Sequence, residues 1–171
     1  MNDAAYKEEH GITQVTLKSY FSNIVDEYQE TLTGTKDLPE EQMKKLWLWT
    51  WYTSMMDANG FTQLVTRYLN KRHGMPFEKF YERLLDWGLE TKEAAAHKWL
   101  KKWQGYGENL EFNMFLAGLT YAPVLEDLGI NNRSQTFQDI LTVAREFAPD
   151  DPLLQDVMIM QERQQTIFAH D

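Results

Sequence analysis

The chain contains no cysteine among its 171 residues. This absence excludes disulfide frameworks, thiolate zinc sites, iron–sulfur clusters and cysteine nucleophiles. No apolar run approaches the roughly 18 residues that a membrane-spanning helix needs. The first residues, Met1 to Glu9, include Asp3, Glu8 and Glu9 where a signal peptide has a basic region and an apolar run. We therefore expect a cytoplasmic protein that makes no contact with membranes.

Positive charge is also scarce, because 26 Asp and Glu face only 17 Lys and Arg, for a formal net charge of −9. Phosphates repel carboxylates, so this balance opposes direct binding to nucleic acid or to an anionic membrane. Hydrophobic residues nonetheless make up 43 % of the chain, which is typical of a folded protein and not of an acidic disordered tail. We expect a single domain over residues 1–171 with its own core.

The motifs of common enzymes are missing as well. There is no Gly-rich phosphate loop, no Gly-x-Ser-x-Gly turn and no His-Glu-x-x-His pair. Glu93 and His97 do not repeat the Glu-x-x-His spacing that di-iron helical bundles use on two helices. We therefore expect a non-enzymatic protein without metal or cofactor. A metal-dependent enzyme that assembles carboxylates from distant positions stays open as an alternative.

Helical periodicity dominates the chain, since apolar residues recur at steps of three and four. The spacing predicts a helix from Leu17 to Leu32, ended by Gly34. Further helices are predicted over residues 39–56, 61–69, 77–87 (stopped by Gly88), 91–103 (before a break at Gly105 and Gly107), 108–121, 123–129 and 134–148, with a last one opened by Pro152.

A β-hairpin is the alternative for one stretch, because Asn59-Gly60 is a strong turn signal between aromatic segments. We favour helices there, since residues 61–69 keep helical spacing and do not alternate. The chain is therefore predicted to be an all-α domain of about seven to nine helices.

Charge is distributed unevenly along the chain. Residues 1–66 hold 10 acids and 5 bases, residues 67–103 hold 5 acids and 9 bases, and residues 104–171 hold 11 acids and 3 bases. Any single carboxylate is explained as part of a solvated helix face, but the collective bias predicts an acidic partner-binding surface. Its candidate residues are Glu108, Glu111, Glu126, Asp127, Asp139, Glu146, Asp150, Asp151 and Asp156. The basic segment could meet the acidic face of a second copy.

One motif lies near the middle of the chain, where a helix rich in Trp and Tyr runs into Asn59, Gly60, Phe61 and Gln63. Local backbone preferences and packing predict structural roles for these four residues. Gly60 allows a tight turn, Asn59 tolerates a left-handed backbone or caps the next helix, and Phe61 anchors that helix in the core.

The same stretch resembles the central motif of a family of small bacterial proteins, classified under a domain of unknown function, whose named member is an acidic DNA mimic. Leu84, Leu85 and Gly88 are also similar to the family pattern, and the likeness covers about a third of the chain. This sequence departs from the pattern at Leu64, where relatives have an aromatic residue.

The resemblance implies an all-helical, homodimeric acidic protein that occupies the DNA-binding face of a transcription regulator. Such a protein blocks the regulator's access to DNA without catalysis and without touching nucleic acid itself. An immunity or antitoxin protein that neutralises a basic toxin or nuclease is the alternative, since the same carboxylates would serve it.

Overall fold

The computed structural model describes residues 3–18, 28–108 and 121–165. It is 72 % helical, with eight α-helices and one two-stranded sheet in this described part. The prediction of an all-α fold with seven to nine helices is therefore confirmed. The elements are α1 (Asp3–Glu9), β1 (Thr13–Lys18), β2 (Tyr28–Gly34), α2 (Glu40–Ala58), α3 (Gln63–His73), α4 (Phe77–Glu90), α5 (His97–Glu108), α6 (Tyr121–Glu126), a π-helical turn (Asp127–Asn131), α7 (Arg133–Phe147) and α8 (Leu154–Gln165).

The chain divides into two compact units. The first comprises Met1–Leu48 with Trp103–Leu119, and the second comprises Trp49–Lys102 with Thr120–Asp171. One domain over residues 1–171 stays a prediction. No described helix is long and apolar enough to cross a membrane.

The first unit corrects the prediction of a helix over residues 17–32. The two ends of this predicted helix belong instead to β1 and β2, and residues 19–27 lie outside the described part. The strands pair antiparallel, with Thr13 opposite Gly34 and Lys18 opposite Tyr28. The two strands read Thr-Gln-Val-Thr-Leu-Lys and Tyr-Gln-Glu-Thr-Leu-Thr-Gly. β-branched side chains lose rotamer freedom in a helix and pack well in a strand, and this preference outweighs the apolar spacing.

The start of α2 agrees with the prediction. The Pro39 carbonyl accepts hydrogen bonds from the Gln42 and Met43 amides, and Glu40 and Glu41 occupy the first turn, where the helix dipole favours negative charge. Since residues 47–55 and 63–69 are both helical, the hairpin alternative is wrong.

Gly88 does not end α4, contrary to the prediction, because the helix continues to Glu90. A Cβ at Gly88 would lie 2.4 Å from Leu100 Cδ1, so the glycine allows a close approach of α5. The next helix begins at His97 and not at Thr91, since the Ala94 amide and the Thr91 carbonyl close a turn first. α5 then runs through Gly105 and Gly107 to Glu108, so the predicted break there is wrong.

The core of the second unit lies among α3, α4, α7, α8 and the end of α2. Its largest fully buried side chains include Met55, Phe61, Phe80 and Ile140. The predicted helices over 134–148 and after Pro152 are observed as α7 and α8 within two residues of the predicted bounds. The π-helical turn after α6 was not predicted, and the predicted helix over 108–121 falls mostly outside the described residues.

Candidate functional site

The nine carboxylates predicted to form one acidic surface do not share one environment. Glu126, Asp150 and Asp156 are exposed and form no ion pair with any described residue. Glu108 ends α5, and Glu111 lies outside the described part. The remaining four carboxylates, Asp127, Asp139, Glu146 and Asp151, contact other side chains or amides of the second unit.

Asp127 is buried at the start of the π-helical turn, with 8 % of its surface exposed. Its Oδ2 lies 2.8 Å from Lys98 Nζ and accepts a hydrogen bond of 2.7 Å from Trp99 Nε1. Its Oδ1 accepts a third bond, of 3.0 Å, from Nδ2 of the Asn132 side chain. Burial by itself raises the pKa of Asp127, but the bonds from Lys98 and Trp99 outweigh burial and hold this pKa below its ordinary value. This carboxylate ties α5 to the π-helical turn.

Asp139 lies on the inner side of α7, with 7 % of its surface exposed. It accepts hydrogen bonds from the Ala95 amide at 2.8 Å, from Gln135 Nε2 at 2.9 Å and from Trp87 Nε1 at 3.3 Å. Three neutral donors therefore satisfy this carboxylate, which holds the turn before α5 against α7.

Asp151 has a side chain that is only 1 % exposed, whereas its neighbour Asp150 is exposed. Its Oδ2 lies 2.6 Å from the Tyr68 hydroxyl, 2.6 Å from His73 Nε2 and 3.2 Å from Arg72 Nε. Its Oδ1 accepts a bond of 2.9 Å from the Leu153 amide. The hydrogen bond from Tyr68, with those from His73 and Leu153 and the charge of Arg72, holds the pKa of Asp151 well below its ordinary value against the effect of burial. Asp151 thus fixes the start of α8 to the end of α3.

Glu146 on α7 forms a two-point ion pair with Arg83 on α4. Arg83 Nε lies 2.6 Å from Oε2, and Nη2 lies 2.9 Å from Oε1. Such fork-to-fork pairing adds geometric specificity to the attraction of the charges.

These contacts correct the sequence interpretation of the acidic segment. Asp127, Asp139 and Asp151 have buried side chains that accept hydrogen bonds from neighbouring elements, and Glu146 is paired with Arg83. None of the four therefore presents an unpaired carboxylate to solvent. Part of the basic segment, in particular Lys98, Arg72 and Arg83, pairs with carboxylates of the same chain.

The exposed charge of the second unit is consequently balanced within the described residues. Nine exposed acids are Glu78, Glu82, Asp86, Glu90, Glu93, Glu126, Glu146, Asp150 and Asp156. Ten exposed bases are Arg67, Lys71, Arg72, Lys79, Lys92, Lys98, Lys101, Lys102, Arg145 and Arg163. The first unit differs: among the residues whose exposure is described, its exposed acids are Glu8, Glu9, Glu30, Asp37 and Glu41, and its exposed bases are Lys36 and Lys45.

The Asn-Gly turn has the structural role predicted for it, with one correction. Gly60 has a φ of 76°, a left-handed conformation that glycine adopts without strain. Phe61 is fully buried, and the centroid of its ring lies 6.1 Å from the centroid of the Phe137 ring. Asn59 donates to the Met55 carbonyl at 2.8 Å and Gln63 to the Asp57 carbonyl at 2.8 Å. Asn59 therefore closes the end of α2 and does not cap α3.

The start of α3 is held instead by Gln161, which lies on α8 and is fully buried. Its Oε1 accepts hydrogen bonds from the Leu64 and Val65 amides, and its Nε2 donates to the Gly60 carbonyl. Sequence reasoning missed this residue. Its position seven residues after Leu154 and four after Val157 placed it on the apolar face of α8, and a polar residue on such a face needs buried partners.

Two clefts open beside these contacts in the second unit. One, of about 410 Å³, is lined mainly by apolar atoms of residues that include Ala58, Leu125 and Ile130, with Glu126 among them. The other, of about 330 Å³, is lined by residues that include His73, Phe147 and Asp150. Within residues 3–18, 28–108 and 121–165, no three His, Asp or Glu side chains are placed to hold a metal ion.

Comparison with known proteins adds no family, since no protein-family model matches the chain and no curated protein matches it. The functional implications of the Asn-Gly-Phe-x-Gln motif therefore stay a proposal.

Proposed function

We propose that this protein is a non-catalytic DNA mimic, which binds a DNA-binding transcription regulator and blocks its access to DNA. The observation that carries the proposal is the exposure of Glu126 and Asp150 in the second unit, without an ion-pair partner among the described residues. Carboxylates without a cation are available to pair with the Lys and Arg that would otherwise contact phosphates.

The first unit supports the proposal with a second set of carboxylates. Glu8, Glu9 and Asp37 are exposed and form no ion pair with any described residue. Because exposed acids outnumber exposed bases in this unit, its described surface attracts a cationic partner more strongly than the balanced second unit does. We therefore assign partner contacts to two sets of residues, which are tested separately.

A homodimer and a cytoplasmic location belong to the same proposal. Two copies double the number of carboxylates that one complex presents, and many DNA-binding regulators are themselves two-fold symmetric dimers. The cytoplasm of a bacterium is where such a regulator meets DNA.

The test begins with capture of partners from the native host on the immobilised chain and their identification by mass spectrometry. A captured regulator is then titrated with the chain and with its own DNA at several salt concentrations. We expect DNA to compete with the chain, and we expect the affinity to fall as salt rises, because ion pairs between exposed charges are screened.

Charge-neutral variants locate the contact. Glu126→Gln with Asp150→Asn tests the second unit, and Glu8→Gln with Glu9→Gln and Asp37→Asn tests the first. The matched control is Glu78→Gln with Asp86→Asn, two exposed acids of α4 in the basic segment. Binding that is indifferent to salt and to both sets of variants would refute DNA mimicry. Capture of a toxin or nuclease in place of a regulator would favour the immunity or antitoxin alternative.

A further inference from the structure

Helix α8 has an outer face that nothing in the described part of the chain covers. Leu154, Val157, Met158 and Gln161 form its buried face. On the opposite side, Ile159 is 40 % exposed and Met160 is 55 % exposed. Single exposed apolar residues are common on folded proteins and need no explanation, but this pair is flanked by two charged side chains.

Asp156 and Arg163 are those charges, and both are exposed. They are seven residues apart, which is nearly two helical turns, so they point in almost the same direction about 10 Å apart along the axis. Ile159 and Met160 lie midway between them along the helix. Neither Asp156 nor Arg163 forms an ion pair with another described residue.

This order of side chains is complementary to itself when it is reversed. If two α8 helices meet antiparallel across a two-fold axis between positions 159 and 160, Asp156 of each copy lies opposite Arg163 of the other. Ile159 then lies opposite Met160. A two-fold interface requires one patch to match itself in this way, and two ion pairs around an apolar centre match the usual arrangement of a polar rim and an apolar core.

We propose that the outer face of α8 is the contact surface between two copies of this chain, packed antiparallel with reciprocal Asp156–Arg163 pairs. A second copy fits this face better than a basic regulator does, because the face carries one charge of each sign and an apolar centre. The inference rests on the proposed function only for the homodimer, and it removes Asp156 from the residues that contact the partner protein.

Charge reversal tests the pairing by sedimentation equilibrium over a range of concentrations. Asp156→Arg places like charges opposite each other in two places, and so does Arg163→Asp. We expect each variant alone to dimerise at least about tenfold more weakly than the wild-type chain, because attraction of two exposed pairs is replaced by repulsion.

Mixing the two variants is the decisive step. A copy with Asp156→Arg opposite a copy with Arg163→Asp regains two opposite-charge pairs, so the mixture is expected to form a heterodimer of near wild-type affinity. The double variant Asp156→Arg with Arg163→Asp should also recover self-association. Recovery shows that each variant is folded, and Gln164→Arg serves as the control at an exposed position of α8 outside the pairing.

Three outcomes would overturn the inference: a wild-type chain that stays monomeric, single variants that associate like the wild type, or a mixture that associates no better than its components. A monomeric chain that still binds a regulator would remove this interface and the homodimer, and it would leave DNA mimicry standing. A dimer that follows the charge rules but binds no regulator would do the reverse.

Discussion

The basic segment 67–103 has a net charge of +4 and the acidic segment 104–171 has a net charge of −8. In the fold, side chains of the two segments form ion pairs with each other. Arg83 pairs with Glu146, Lys98 with Asp127, and Arg72 with Asp151. A charge asymmetry along a sequence suggests a binding surface, but here part of it joins helices within one unit. The difference between the segments therefore teaches more about assembly of the fold than about an external partner.

The two segments also use their charges differently. Asp127, Asp139 and Asp151 are short, and the fold buries them where several N–H and O–H groups converge. Lys98 and Arg72 keep most of their side chains in solvent and reach the carboxylates from outside. Long cationic side chains can do this because their charge lies at the end of a flexible stem. Removal of a buried acid should therefore cost more than removal of its basic partner.

Acid is expected to produce the largest effect, because it protonates Asp127 and Asp151 together. The folded-state pKa of Asp127 and of Asp151 is depressed, so their contribution to stability is present above the unfolded-state pKa of about 3.9 and is lost as pH falls below it. We expect the chain to unfold in this acidic range, and circular dichroism measures the loss of helix.

The neighbouring residues Asp150 and Asp151 provide a matched pair for this test. Asp151→Asn should lower stability at neutral pH and make the further loss in acid shallower, because one titrating group with a depressed pKa is gone. Asp150→Asn should leave the acid unfolding curve unchanged. Equal curves for the two variants would contradict a special role for the buried carboxylate.

Asp139→Ala should have the next largest effect. The substitution leaves the Ala95 amide, Gln135 Nε2 and Trp87 Nε1 without their acceptor, and we expect a loss of about 3 kcal/mol in the free energy of unfolding. Urea denaturation measures it. Asp139→Asn keeps the shape and one acceptor oxygen and should lose less, whereas a loss below about 1 kcal/mol for the alanine variant would mean that water replaces the carboxylate.

Gln161→Met should cause the third largest loss of stability. The substitution keeps the side-chain volume but removes the acceptor for the Leu64 and Val65 amides and the donor to the Gly60 carbonyl. We expect a loss of about 2 kcal/mol from the unsatisfied backbone groups. The control is Gln164→Met, an exposed position on the same helix, which should change stability by no more than about 0.5 kcal/mol. Equal urea midpoints for both variants would show that the buried amide is dispensable.

The smallest effect is expected for Arg83 and Glu146, whose side chains are 32 % and 39 % exposed. A double-mutant cycle with Arg83→Ala and Glu146→Ala should give a coupling energy of about 0.5–1 kcal/mol, reduced in high salt because solvent screens the pair. A coupling energy of zero at low salt would assign these two charges to the solvated surface and weaken the comparison between the segments.

Long periodic segments with clear boundaries were predictable from the sequence. The helix predicted from Phe77 is observed as α4, and the helix predicted after Pro152 is observed as α8. The predictions failed where a local signal has two meanings. A glycine often ends a helix, but Gly88 lies inside α4, where the missing side chain leaves room for Leu100. In residues 17–32 the apolar spacing predicted a helix, although both ends of this segment belong to strands that contain several Thr.

The candidate site was less predictable than the fold. In the sequence, Asp150 and Asp151 look alike, yet one is exposed and the other is nearly enclosed. What separates them is the convergence of Tyr68, Arg72 and His73, which are about 80 residues away along the chain. No local pattern shows such a convergence.

The sequence alone determined the absence of thiol chemistry, the negative net charge, the predominance of helix and the turn at Gly60, because these properties depend on composition and on local backbone preferences. Only the tertiary structure decided which carboxylates face solvent and that Gln161 holds the start of α3. A carboxylate or amide is buried only where donors and acceptors from distant elements satisfy it, and those neighbours exist only once the helices have packed.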